Sequence, residues 1–218
     1  MLNEERAIAA TLEAIRTGAP AAEIIVVDGG SSDRSVEIAR TRCDRLSEGP
    51  HGRARQMNAG ATVSSGDALA FVHADTIVPA TFDRDIDFAL GDRGVAGGRF
   101  DLAFDTRRPT FDVVAAMINL RSRIMRSATG DQAIFVRREV FDRLGGYRDI
   151  ELCEDVDLVQ RMRKVGRVAC LRSRVTTSAR RWQRDGLVRT ILRMWLIKTL
   201  FLAGASPAWL KRHYADTR

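Results

Sequence analysis

Three acidic positions carry most of the chemistry this sequence can offer. Asp28 follows the β-branched run Glu23-Ile24-Ile25-Val26-Val27 and opens Asp28-Gly29-Gly30-Ser31-Ser32-Asp33. A carboxylate at the end of a buried strand, followed by glycine and two hydroxyls, can meet a nucleobase edge or an anion, or it can simply cap the next helix. Asp75 ends Ala68-Leu69-Ala70-Phe71-Val72-His73-Ala74-Asp75 in the same manner, so both carboxylates should emerge on one rim of a sheet. There a carboxylate can hold Mg²⁺ or Mn²⁺ bridging a diphosphate, with an N-cap or Asx-turn at Asp75-Thr76 as the plainer alternative. His73 could be a second ligand, although strand alternation favours a packed ring. Glu151, Glu154, Asp155 and Asp157 crowd the start of an amphipathic helix. The helix dipole accounts for three of them, while their density raises proton affinity and suits one as a general base. Arg53 and Arg55 open another helix, where a cation opposes the dipole and calls for a bound anion or a nearby acid; a solvated surface pair is the ordinary alternative.

Alternating strands and helices must position these groups. Asn3 reads as the N-cap of a helix carrying Ile8, Leu12 and Ile15 and stopped by Gly18 and Pro20. The run ending at Val27 is a strand, and Val36 and Ile38 begin another helix. A helix from Arg53 to Val63 and a strand from Ala68 to Val72 repeat the unit, and Pro79 starts a further helix. Val95 to Phe104 reads as a strand pair or hairpin broken at Gly97-Gly98. A helix over Phe111 to Met125, a strand over Ala133 to Val136 and a helix from Glu154 to Val165 closed by Gly166 complete the α/β pattern, which implies a mostly parallel sheet with helices on both faces. An open α/β domain is expected to begin with its central strand, so the strand that should lie beside Ile24 to Val27 is expected to be absent.

A chain of 218 residues, 45% hydrophobic and 29% charged, can bury a single core and is neither collagen-like nor disordered. Cys43, Cys153 and Cys170 fit neither a disulfide framework nor a zinc site, and the acidic start lacks the features of a signal peptide, so a cytoplasmic setting is expected. The net charge of +7 is unevenly spread: residues 161–218 hold 15 basic and 2 acidic side chains, residues 1–160 hold 20 and 26. Only Trp182, Trp195, Trp209 and Tyr214 accompany the basic end, too little aromatic interleaving for nucleic acid.

The ordered series Leu-Asn-Glu-Glu, Val-Val-Asp-Gly-Gly-Ser-Ser-Asp, Gly-Arg-Ala-Arg-Gln-Met-Asn, Phe-Val-His-Ala-Asp-Thr, Phe-Val-Arg-Arg-Glu-Val-Phe-Asp-Arg-Leu-Gly-Gly-Tyr and Glu-Asp-Val-Asp-Leu resembles glycosyltransferase family 2, nucleotide-sugar transferases of the GT-A fold. It looks most like a small bacterial subgroup with His-Ala-Asp in place of the usual metal motif and a following Ser-Ala-Arg-Arg-Trp segment. The resemblance implies that Asp28, Arg53 and Asn58 bind the nucleotide and that Asp75 holds Mg²⁺ or Mn²⁺ on the diphosphate. It implies Asp155, beside Glu154, as the base for inverting attack on the anomeric carbon, and Asp131, Arg181 and Trp182 at the acceptor. His73 stands where the family places an acid, which puts metal dependence in question.

The resemblance divides the chain into a GT-A domain over residues 1–182 and a basic amphipathic helical tail over 183–218. Leu187 to Ala203 is helical and too interrupted by Arg189, Arg193 and Lys198 to span a bilayer. With these cations on one side and Trp195, Leu196, Leu200 and Phe201 on the other, it suits the inner face of an anionic membrane and a lipid-linked acceptor; packing on the domain or in a dimer fits equally. Two other functions compete: a nucleotidyltransferase, whose Gly-rich N-terminal signature is lacking, and a non-catalytic membrane-surface binding module.

Overall fold

The computed structural model describes residues 1–213; Tyr214 and the end of the expected tail lie outside the described residues. The elements run α1 (Ile8–Gly18), β1 (Ile25–Asp28), α2 (Ser35–Arg40), β2 (Arg45–Glu48), α3 (Arg53–Val63), β3 (Ala68–Phe71), β4 (Thr76–Ile77), α4 (Phe82–Leu90), β5 (Val95–Phe104) and α5 (Pro109–Met125). After a 3₁₀ turn at Gly130–Gln132 come β6 (Ile134–Arg137), α6 (Arg138–Arg143), α7 (Glu154–Val165), β7 (Arg167–Thr177), α8 (Arg180–Asp185), α9 (Leu187–Leu202) and α10 (Pro207–His213). The α/β class holds, with one correction to the sheet. Five strands lie in the order β3-β6-β5-β7-β4, and β1-β2 form a separate parallel pair. Among the described residues only β1–β2 and β5–β7 are parallel, whereas β3–β6, β5–β6 and β4–β7 are antiparallel. The departure comes from β6 and β4, which run against their neighbours and so do not follow from a simple alternation of strand and helix.

Side-chain alternation builds the two faces of the larger sheet. In β6, Ile134 and Val136 join Leu158, Val159 and Met162 of α7 on one face. Phe135 between them points to the other, where Phe100 of β5 and Phe82 and Ile86 of α4 pack. A third cluster unites Leu102 and Phe104 with α5, Trp182 and the inner side of α9. A fourth seats α1 on β1 through Ile8, Leu12, Ile24 and Val26.

The hairpin expected at Gly97-Gly98 is instead the interior of one ten-residue strand. Its glycines give closeness: a Cβ on Gly97 would lie 2.3 Å from the Phe135 carbonyl oxygen, and one on Gly98 2.5 Å from that of Ala169. Beyond them Arg99 is wholly buried, donating to Asp101 and to the carbonyls of Phe100 and Asn119. Asp101 also accepts from Arg123 at 2.6 Å, and the Asn119 amide exchanges two hydrogen bonds with the Leu102 backbone. This network fixes α5, and with it the turn at residues 130–132.

Asn3 is not the cap of α1, which begins at Ile8. Its side chain accepts the Ser32 amide at 2.8 Å instead, while the amides of Asn3, Glu4 and Glu5 donate to Ser31, Ser35 and Asp33. The first acidic segment and the Gly-rich turn are thus zipped together.

Gly97→Ala should lower unfolding free energy by about 1–3 kcal/mol, because backbone rather than a movable side chain blocks the new methyl group. Urea denaturation would show it as a lower midpoint at unchanged slope.

Candidate active site

A cavity of about 1420 Å³ opens along the sheet rim and is lined by Arg53, Asp75, Asp131, Glu154, Asp155, Arg181 and Trp182, among others. The structure therefore gathers most of the residues singled out from sequence, across segments far apart in the chain. Asp28 and Asn58 do not line it. Asp28 is buried at the end of β1, and its carboxylate accepts the Gly30 and Ser31 amides at 2.9 and 2.8 Å and the Ser31 hydroxyl at 2.5 Å. Burial would raise its proton affinity, but these three donors and the chain's amino terminus hold it below the ordinary carboxylate range. Asn58 donates to the Tyr147 carbonyl at 2.8 Å and accepts the Tyr147 amide at 2.9 Å, bracing α3 against the loop that leads to α7.

The four acids at α7 are sorted by their partners. Asp157 faces Arg161 at 2.7 Å and Arg148 at 3.2 Å, and Glu151 lies 3.5 Å from Lys211. Glu154 is buried with Arg53 4.0 Å away. Asp155 turns to the cleft: Oδ2 accepts the Gly130 amide at 2.6 Å and Oδ1 the Val156 amide at 2.7 Å. Burial pushes Asp155 above the usual carboxylate range, the two amides oppose this, Asp131 adds to it and Arg53 works against it. A raised carboxylate beside a cavity is what proton abstraction at neutral pH requires.

Gly130 is also where the second acidic segment meets the third. A Cβ on Gly130 would lie 2.5 Å from Nε2 of His73, so the ring lies close against the turn that holds Asp155. The two loops are entered and left through left-handed residues that are not glycine, Cys153 at φ 64° directly before Glu154 and Ala133 at φ 46° directly after Gln132. Such strain is characteristic of segments fixed by their surroundings. Cys153 itself is a thiol pushed up to about 12 by burial and by Asp155 and Glu154, which keeps it protonated.

Sequence reasoning missed Arg121 and Lys198. Both line the cavity, Arg121 from α5 and Lys198 from α9. Lys198, expected on the outer cationic side of the tail, is only 9% exposed and donates to the Ser127 hydroxyl at 3.0 Å. Burial and the nearby Arg121 push it down to about 8, against the pull of Asp155, Cys153 and Asp131. Its spacing from Ile191 and Met194, which pack inward, was the available signal. Trp182 is a core residue as well as a cavity wall, edge-on to Phe104 at 5.3 Å. Among the described residues no three His, Cys, Asp or Glu side chains are grouped to hold a metal by themselves.

The fold is that of the GT-A glycosyltransferases, solved structures of which superpose on this α/β sheet with its acids and arginines gathered at the rim. TarS of S. aureus (residues 1–349) in complex with UDP matches with a TM-score of 0.67 at 16% identity, over 82% of this chain and 58% of that one. The mannosyltransferase PcManGT from Pyrobaculum calidifontis in complex with GDP-Man and Mn²⁺ matches at 0.63 and 19%, over 95% and 64%. Glucosyl-3-phosphoglycerate synthase from Mycobacterium tuberculosis with Mn²⁺, UDP-glucose and glycerol 3-phosphate matches at 0.60 and 18%, over 80% and 68%. The chain thus spans just over half of the UDP-bound TarS chain. By sequence, no curated protein matches. Residues 1–142 match the model of glycosyl transferase family 2, and the chain belongs to that family.

Asn58→Ala would strand both the buried amide and the carbonyl of Tyr147. It should cost at least about 2 kcal/mol, read as a lowered denaturation midpoint.

Proposed function

We propose that this protein transfers a hexose from a nucleoside-diphosphate sugar to an acceptor hydroxyl with inversion at the anomeric carbon. Family membership supports the transfer, and the placement of Asp155 in one cavity with Arg53 and Asp75 is the observation that carries the roles. Asp155 takes the proton of the acceptor hydroxyl, held in place by the Gly130 amide, while Glu154 keeps Arg53 at the cleft wall. Arg53 faces the leaving diphosphate and offsets its growing charge. Asp28 shapes the nucleotide end of the rim through its turn, and Asn58 supports it by bracing α3. Asp131, Arg181 and Trp182 border the acceptor side. Asp75 lines the cavity with the carboxylate oxygens that a hard divalent cation takes, leaving the remaining ligands to diphosphate and water. Bound there, Mg²⁺ or Mn²⁺ would supply Lewis-acid neutralisation of the leaving group. Mn²⁺ in the crystallised mannosyltransferase and phosphoglycerate synthase supports this reading.

We further propose that residues 1–182 form the transferase unit and that the segment from residue 183 seats it peripherally on the cytoplasmic face of a membrane, with a lipid-linked acceptor. Among the described residues no helix is long and apolar enough to cross a bilayer. Support comes from α9, where Val188, Leu192, Trp195 and Leu196 are half or more exposed on a segment rich in arginine.

Asp155→Asn should lower kcat by about 10²–10⁴-fold with donor affinity little changed, measured as sugar release or transfer from UDP- and GDP-sugars with Mn²⁺. Wild-type turnover in that variant would refute the assignment. Because a base acts ionised and Asp155 is raised, the acid limb of kcat/KM should lie above the ordinary carboxylate pKa of about 4. Asp131→Asn, by removing the neighbouring negative charge, should move that limb to lower pH.

Vesicles test the membrane reading. Co-sedimentation should rise with the fraction of anionic lipid, fall with salt, and weaken in a Leu192→Ser, Leu196→Ser double variant.

A further inference from the structure

Arginines drawn into this protein are normally spent on their neighbours. Arg99 donates to Asp101 and to two carbonyls, and Arg161 to Asp157 and the carbonyls of Leu144 and Gly146. Arg121 departs from that habit. It lines the cavity, its Nε is shut off from solvent, and that atom has no hydrogen-bond partner among the described residues. Asp131 is the acid whose charge reaches it, but that carboxylate is bonded to the Thr129 hydroxyl at 2.5 Å. A donor left over in this way needs an explanation, and a missing ligand is one.

Lys198 stands in the same condition. Its ammonium carries three donors, and the Ser127 hydroxyl takes one of them. Arg121 lies near enough to oppose its charge, and Asp155 and Asp131 support it without bonding to it. Asp155 spends its oxygens on the Gly130 and Val156 amides. Two cations withdrawn from water beside one another are costly unless an anion joins them. Their position relative to Asp155 indicates which anion. Arg53 reaches Glu154 and Asp155 from α3, which packs with α7 in the core shared by β3 and β6. Arg121 and Lys198 come instead from α5 and α9, and Arg121 also lines a smaller cavity together with Asp131 and Trp182. Arg53 is already assigned to the leaving diphosphate, whereas the pair from α5 and α9 has no role in the transfer described above.

We propose that Arg121 and Lys198 form an anion subsite on the acceptor side of Asp155, so that the acceptor carries a phosphate group near the hydroxyl it offers. The guanidinium can grip two phosphate oxygens, and the ammonium adds a point charge beside them. A free hydroxy-phosphate and a phospholipid headgroup share this chemistry. Placing the subsite on the acceptor side rests on the reading of Asp155 as the acceptor's base, and the measurements below let the two fail separately.

The chain has three lysines, Lys164, Lys198 and Lys211, so NMR of isotope-labelled lysine reads each one separately. At neutral pH, inorganic phosphate should shift the Lys198 signal saturably and leave Lys164, exposed on α7, in place. Saturating UDP or GDP with Mg²⁺ should not remove that response. Arg121→Met should weaken it at least about 10-fold, and Arg121→Lys, which keeps the charge, by less. Two further probes identify the source. Hydroxyethyl phosphate, for a free acceptor, or dihexanoylphosphatidylglycerol, for a lipid, should saturate Lys198 at a concentration at least about 10-fold below that of inorganic phosphate. Displacement of phosphate by the nucleotide would give these cations to the donor and overturn the proposal. So would a Lys198 signal that ignores phosphate in the wild-type chain, or two hydroxy-phosphates that bind no better than phosphate itself. A chain that binds phosphate and both probes but neither nucleotide would uphold the anion subsite and refute sugar transfer.

Discussion

The hydrogen bond from the Gly130 amide to Asp155 is the constraint through which the site is assembled. It requires the 130–132 turn to lie against the first turn of α7, and it leaves no room for a side chain between the turn and the His73 ring. Three chain segments, ending at residues 75, 132 and 155, are therefore fixed relative to one another at a single backbone atom. The turn's own position descends from the Arg99–Asp101–Arg123 network, which welds α5 to β5. A buried, paired charge network of this kind adds little net stability but penalises any other placement of α5 heavily, because each alternative would strand a charge.

Elements with a strong period or a clear stop were legible from sequence. α7 runs from Glu154 to Val165 as its apolar spacing and Gly166 require, and α1 ends at Gly18. Illegible were strands defined by their neighbours: β2 contains a single apolar residue, Leu46, and exists because β1 offers an edge to pair with. Gly97-Gly98 misled for a related reason. Glycine breaks a strand when judged locally, yet here it is what allows β6 and β7 to approach β5 from either side. Asn3 read as a helix cap because its side chain is a good acceptor, and it does cap, but across space to Ser32.

Among the site residues, sequence order pointed to the segments and not to the division of labour within them. Glu151, Glu154, Asp155 and Asp157 look alike along the chain, and only their partners separate them: Lys211, Arg53, Gly130 and Arg161. Lys198 was hidden for the opposite reason. A lysine on an amphipathic helix is normally solvated, so its burial against Ser127 depends on the helix turning Trp195 and Leu196 outward at 50% and 59% exposure. α9 thus carries apolar side chains on its outer as well as its inner side, with Lys198 inside, which makes it a wall of the cleft as well as a surface.

The electrostatics of that wall follow from burial. Asp155 is raised and Lys198 lowered to about 8, both toward neutrality, because leaving water disfavours any isolated charge. Around them Arg121 opposes the charge on Lys198, and Asp131 opposes that on Asp155 while supporting that on Lys198. An anion entering between them would act on both at once. It would favour the charged form of Lys198 by attraction and the protonated form of Asp155 by repulsion. A base that must be ionised in the presence of an anionic ligand therefore needs nearby donors that do not titrate, and the Gly130 and Val156 amides meet that need, since their dipoles are fixed by the backbone at every pH.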